Sequence, residues 1–179
     1  MLLGIRGDII GNTSNKIGGK FEKKLNSIFE QYRKDKKAYI IKVHTKATPI
    51  RNSKGKIMKV VYSEKSDCLD YIGLLPNAKP IVFEAKTADG KTSFPLSNIK
   101  EYQYELFDEI YNFTDNIFYI IELRYHNEVY LVHANKVKEF KENNDRKSIP
   151  YDEFKNIGIL MEDLDVLKYI KDEVNYGLV

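Results

Sequence analysis

Acid-x-Lys triplets begin at seven places in this chain: Glu22, Asp35, Glu84, Asp89, Glu139, Asp145 and Glu153. Only Glu84-Ala85-Lys86 lies inside an apolar run, Pro80 to Lys86 (PIVFEAK). Such a run reads as a strand. Its period of two puts Val82, Glu84 and Lys86 on one face and Ile81, Phe83 and Ala85 on the other. A carboxylate and an ammonium on a central strand must be desolvated together or face a cleft, because burying ions without purpose is costly. Taken alone, the triplet also fits a strand end emerging into solvent with a weak ion pair.

Asp70 lies fourteen residues before Glu84. A turn at Pro76-Asn77 pairs Tyr71-Ile72-Gly73 with the apolar strand as a hairpin and brings Asp70 near Glu84. Two carboxylates and a lysine then share a site. Carboxylate oxygens suit Mg²⁺, which takes few protein ligands and keeps several waters. The backbone carbonyl of Ala85 can complete that shell, and Lys86 can hold or help deprotonate an attacking water. Two helical residues add to the set. Glu22 stands three and seven residues before Leu25 and Phe29, at the border of an apolar face. Gln103 sits between Ile99 and Leu106, an amide on an otherwise apolar face. Singly, these read as a snorkelling glutamate and a satisfied buried glutamine; together they converge from separate elements.

The elements that must position these residues follow from pattern. Residues 1–15, rich in Gly, Asn and Ser, are expected to form an irregular N-terminal arm before a single domain over 16–179. Phe21, Leu25, Ile28, Phe29 and Tyr32 mark one face of a helix ending near Lys34. Ala38 to His44 reads as a strand. Thr45 to Lys59 holds five basic residues and no acid, and joins that strand to a second strand-like run, Ile57 to Tyr62. So polar a connector is a loop or a protruding hairpin. Asp89-Gly90-Lys91 is a turn. Ser97 is a candidate cap for a helix over Asn98 to about Phe113. Strands follow at Ile117–Leu123 and Glu128–His133, with short helices near Asn135–Glu142 and Asp163–Tyr176. The order predicts an α/β domain with a mixed central sheet flanked by helices.

Charge supports a polyanionic partner. The net charge is only +3, yet residues 1–60 carry fifteen Lys and Arg against four Asp and Glu, and residues 61–179 fourteen against twenty-two. Such asymmetry points to nucleic acid at the basic end, the plainer reading being a basic solvated helix and loop. A hydrophobic content of 42% argues against disorder. The lone Cys68 excludes an intrachain disulfide framework and a cysteine-based zinc cluster. His44, His126 and His133 lack ligand spacing on a helix. The start has no signal-peptide pattern and no apolar run approaches ~18 residues, so a cytoplasmic protein without a membrane partner is expected.

The acidic set resembles the PD-(D/E)-x-K nuclease constellation. From about residue 16 onward the chain resembles RecU-type Holliday junction resolvases. The motifs are Gly19-Lys20-Phe21-Glu22, Thr48-Pro49-Ile50, Asp70-Tyr71-Ile72-Gly73, Phe83-Glu84-Ala85-Lys86, Lys91-Thr92-Ser93-Phe94-Pro95-Leu96, Gln103 and Lys147-Ser148-Ile149-Pro150-Tyr151. The run from Phe83 to Leu96 is the most specific. The chain departs from the family at Cys68-Leu69, where hydroxyl residues usually precede the aspartate, and in a shorter stalk.

The resemblance implies a restriction-endonuclease-like core and a homodimeric, Mg²⁺-dependent endonuclease, with Mn²⁺ as a substitute. It would resolve four-way DNA junctions by paired symmetric nicks in recombination and repair, leaving 5′-phosphate ends. Asp70 and Glu84 would be metal ligands and Lys86 the catalytic lysine. Glu22 would be the helical acid, able to help bind a second ion, and Gln103 the supporting polar residue. The segment 46–59 would be a stalk entering the junction centre. Lys46, Arg51, Lys54, Lys56 and Lys59, with Lys20, Lys23 and Lys24 of the first helix, would contact DNA phosphates. Recombinase or branch-migration proteins would be partners, near the nucleoid. The rival readings are a nuclease acting on linear duplex and a non-catalytic junction-binding module.

Overall fold

The computed structural model describes residues 9–44, 47–62, 69–76 and 78–170. The first helix, α1 (Ile9–Lys34), buries Phe21, Leu25, Phe29 and Tyr32, the face expected from their spacing. It starts at Ile9, so the arm expected to be irregular is helical over residues 9–15. Adding turns to an existing helix is far cheaper than starting one, which lets this Asn- and Ser-rich stretch continue it. The helix closes with a Schellman pattern. Lys37 N–H donates to Tyr32 O at 2.8 Å, Lys36 N–H donates to Arg33 O at 3.2 Å, and Lys36 takes φ 56°.

Six strands form the central sheet: β1 (Tyr39–Lys42), β4 (Tyr71–Leu74), β5 (Pro80–Ala88), β7 (Ile117–Leu123), β8 (Glu128–His133) and β10 (Gly158–Leu160), in the order β1-β4-β5-β7-β8-β10. The β5–β7 pair is parallel, bridged by helix α2 (Glu101–Ile110); the other pairs are antiparallel. This is the mixed sheet expected. Alternation along β5 sorts its residues. Ile81 and Phe83 join the core under α1, where Phe83 stacks on Phe29 at 5.6 Å. Val82 joins the core under α2, where Phe107 meets Tyr119 edge-on at 4.8 Å. Glu84 and Lys86 therefore lie on the α2 face.

Helix α2 begins at Glu101 after a single 3₁₀ turn at Leu96–Asn98. Ser97 does not cap it. The cap position is Lys100, whose N–H donates to the Gln103 side-chain oxygen at 2.9 Å, the backward half of a capping box. Helix α3 (Ala134–Asn143) matches the expected short helix. The last expected helix is present over residues 166–170, and the rest of it lies outside the described residues.

Two small ladders stand apart from the main sheet. In the first, β2 (Ala47–Arg51) pairs with β3 (Ile57–Tyr62) as an antiparallel hairpin. Its turn is held by Asn52, whose Oδ1 accepts from Lys54 N and Lys56 N at 3.0 Å, with Gly55 at φ 77°. The expected stalk is thus a hairpin reaching Tyr62. Ile57–Tyr62, read as a separate strand, is its returning arm, because it pairs with 47–51 rather than with the core. In the second, β6 (Ser93–Pro95) pairs with β9 (Ser148–Pro150), which pattern did not reveal. Among the described residues no helix is long and apolar enough to cross a membrane.

Candidate active site

The register of β4 on β5 places Tyr71 opposite Phe83, so Asp70, one residue earlier, comes to Glu84. The hairpin forms as expected: Leu75 N–H donates to Lys79 O at 3.0 Å and Ala78 N–H to Leu75 O at 2.9 Å, with Asn77 outside the described residues. The two acids are tied through backbone. Asp70 N–H donates to Glu84 Oε2 at 3.1 Å, and Ala85 N–H donates to Asp70 Oδ2 at 3.0 Å. On its other side, Asp70 O accepts from Val43 N–H at 2.8 Å.

Position here depends on close strand approach. A Cβ on Gly73 would lie 2.9 Å from Ile40 Cα and closer still to Tyr39 O. Only glycine lets β1 pack this tightly beside β4, which accounts for its place in Asp70-Tyr71-Ile72-Gly73.

Glu84 is 3% exposed and hydrogen-bonded through both of its oxygens. Its Oε1 pairs with Lys86 Nζ at 2.9 Å and accepts from Gln103 Nε2. Gln103, 5% exposed, returns its own oxygen to Lys86 Nζ at 3.0 Å and to Lys100 N–H at 2.9 Å. Two N–H donors on one end and a carboxylate on the other leave only one way to orient the amide. The glutamine thus satisfies the buried Glu84–Lys86 pair and ties it to the start of α2.

Glu22 arrives from the α1 side. Its Oε2 carries an ion pair with Lys42, and its backbone carbonyl accepts from Tyr71 OH at 3.4 Å. Its charge still reaches Asp70. Burial, then the charge of Glu84, and least of all that of Glu22, push the Asp70 carboxyl up to about 7, against the Ala85 N–H and Lys86. Tyr102 on α2 feels the same pair: burial first, then Glu84 and Asp70, raise its phenol.

Sequence reasoning named Asp70, Glu84, Lys86 and Gln103, and these four come together; Glu22 joins through Asp70. It missed Lys42, Tyr102 and Tyr119. Lys42 interrupts the apolar run Tyr39-Ile40-Ile41-Lys42-Val43 much as Lys86 interrupts its own, a usable signal. Tyr119 faces Glu84 across β5–β7 with a buried hydroxyl lacking a partner, which no pattern announces.

The expected DNA-contacting residues divide in two. Lys20, Lys23 and Lys24 are exposed on α1. Arg51, Lys54, Lys56 and Lys59 are exposed on the β2–β3 hairpin, and Lys46 lies outside the described residues. The two remaining family motifs meet in the β6–β9 ladder. Leu96 N–H donates to Lys147 O at 3.0 Å and Tyr151 N–H to Thr92 O at 2.9 Å, bracing the segment that leads from β5 into α2 and Gln103.

The donor set fits a divalent cation. Among the described residues no three His, Cys, Asp or Glu side chains converge on one point, so the protein offers the two carboxylates Asp70 and Glu84. Burial first, and then the charge of Glu84, hold Asp70 partly protonated near neutrality, and a bound cation would offset both.

Comparison with known proteins agrees. The family model described as "RecU: Recombination protein U" matches residues 16–172. A protein named Holliday junction resolvase RecU from Oceanobacillus iheyensis is 32% identical over 149 residues, 78% of this chain and 74% of that one. One of the same name from a Geobacillus strain is 34% identical over 151 residues, covering 79% and 73%. A third, from Bacillus cytotoxicus, is 31% identical over 160 residues, covering 84% and 78%. With the acids, lysine and glutamine of its motifs assembled on one end of a mixed sheet, this chain belongs to the RecU family of recombination proteins.

Proposed function

We propose that the protein is a divalent-metal-dependent endonuclease that nicks four-way DNA junctions in recombination and repair. The observation that carries this is the buried Glu84 carboxylate, bridged to Asp70 through backbone and held by Lys86 and Gln103. A buried Lys–Glu–Gln network with a second, proton-holding acid is an expensive arrangement for a merely structural role. The names of the relatives point the same way.

Asp70, Glu84 and the Ala85 carbonyl would hold the ion, Mg²⁺ with Mn²⁺ as a substitute. When bound, it would supply Lewis-acid polarisation of the phosphate and a water of lowered pKa. The chain's own residues do the rest. Lys86 presents N–H donors at the mouth of the pair, where it orients the attacking water and meets charge developing on the phosphate. Gln103 fixes Lys86 by its oxygen and Glu84 by its nitrogen, so neither reorganises during the reaction. In-line attack of water on phosphorus, with the P–O3′ bond breaking and the 3′ oxygen leaving to take up a proton, would give a 5′-phosphate and a 3′-hydroxyl.

Junction selectivity is assigned to the β2–β3 hairpin, a narrow, fully exposed projection with Arg51, Lys54, Lys56 and Lys59 along it. Paired symmetric nicks require two copies related by a twofold axis. Support for a pair comes from the sheet edge, where the register partners Tyr39–Leu74 and Ile41–Ile72 are 39–56% exposed, an apolar strip suited to a second copy. Recombinase or branch-migration proteins would be partners at the nucleoid, in the cytoplasm.

The test is nicking of a labelled four-way junction with Mg²⁺ and with EDTA, by wild type and Glu84→Ala, with linear duplex as competitor. Cleavage should need metal, vanish in the variant and resist the competitor, while junction binding persists. Full nicking by Glu84→Ala would sink the assignment. Removing residues 48–60 should abolish junction preference; a duplex cutter would be indifferent.

A further inference from the structure

Two lysines enter this site, and the mechanism above uses one. Lys42, at the end of edge strand β1, directs its ammonium to Glu22 Oε2. It stands beside the metal-binding strand pair by construction: Lys42 is the register partner of Tyr71, and the next residue, Val43, donates to Asp70 O at 2.8 Å. Its side chain is 24% exposed and that of Glu22 34%, so the pair is partly withdrawn from water and its attraction is screened less than that of a fully exposed pair. Glu22 lies close enough to Asp70 for their charges to interact.

A carboxylate facing another across a nuclease site usually invites a cation between them. Here a side chain of the same chain already supplies that charge. We propose that the Lys42 ammonium takes the place of a second cation beside Glu22, so that each active site accepts a single divalent ion, at Asp70 and Glu84. The proposal rests on the metal site assigned above. A tethered ammonium balances the Glu22 charge permanently, without the water shell a second ion would bring. It is fixed by β1, whereas a second metal would have to be recruited from solution. A newcomer would have to displace Lys42 from Glu22, leaving that ammonium half-buried without its partner, and this disfavours it.

The experiment counts Mn²⁺ on the full chain without DNA, by electron paramagnetic resonance of the unbound ion and by calorimetry, so neither readout depends on cleavage. Wild type should bind one ion per chain. Lys42→Met keeps the length of the side chain and removes the charge; it should admit a second, weaker ion, lost again in Lys42→Met combined with Glu22→Gln. Glu22→Gln alone should still bind one ion, and this arm stands even where Lys42→Met fails to fold. Two ions on wild type, one ion on folded Lys42→Met, or a lost ion in Glu22→Gln would each overturn the proposal. No ion on wild type would overturn the metal site itself, and the proposal with it.

Discussion

Gln103 and Lys86 meet at 3.0 Å across the gap between α2 and β5, with the glutamine oxygen accepting from the lysine ammonium. The same oxygen accepts from Lys100 N–H, so one amide both starts the helix and aims Lys86. Gln103→Leu keeps the apolar packing and removes these two hydrogen bonds and the one that Gln103 donates to Glu84. Single-turnover nicking should fall by about 10- to 100-fold, the usual cost of losing an orienting residue around a metal site. Junction affinity, read by gel shift, should be unchanged.

Asp70 gives the site a pH signature. Its proton leaves near 7 in the folded chain, whereas an ordinary aspartate loses it near 3.8. Between those values the folded state binds the extra proton. Stability of the metal-free protein should therefore fall as pH rises through this window and stay low above it. Asp70→Asn removes the penalty. At pH 8 without metal its Tm should exceed that of wild type by several degrees, each kcal/mol being worth roughly 2–4 °C in a chain of this size, and the difference should vanish near pH 4. Mn²⁺ affinity should rise with pH up to about 7 and then level off, since binding must displace that proton.

Gly73→Ala should be damaging despite its small size. The added methyl meets Tyr39 O and Ile40 Cα, both backbone atoms that cannot move without separating β1 from β4. A loss of about 1–3 kcal/mol is expected from such overpacking, measured by urea unfolding. Nicking per folded molecule should also drop, because Val43 holds Asp70 through the same strand pair.

Charge on the hairpin should govern affinity without touching chemistry. Lys54→Ala, Lys56→Ala and Lys59→Ala change exposed side chains outside the core. Each should leave Tm unchanged and reduce the slope of log affinity against log salt by roughly one for every DNA phosphate that the protein no longer neutralises. Fluorescence anisotropy of a four-way junction between low and moderate salt measures it.

Lys36 holds a left-handed conformation at the end of α1, with φ 56°. Glycine takes that conformation without the clash a Cβ makes, which costs roughly 1–2 kcal/mol. Lys36→Gly should thus raise Tm slightly, with no effect on nicking.

Much of this site was legible in the chain because period-two patterning is strict. Glu84 and Lys86 break an apolar strand on one face, and the turn after Leu74 can only pair that strand with the segment led by Asp70. The face of α1 and the inward position of Gln103 follow from helical spacing in the same way. What pattern could not reach depends on contacts between elements remote in sequence. The starting point of α2 was decided by Lys100 and Gln103, because the amide that caps the helix is also held by β5. That Ile57–Tyr62 belongs to the stalk was decided by pairing with Ala47–Arg51, since a strand's partner is not encoded in its own alternation. The ladder joining residues 93–95 to 148–150, and the ion pair of Lys42 with Glu22 across twenty residues, exist only once the sheet has closed. Local spacing determined which side chains face inward; the order of strands in space decided which of them share a charge.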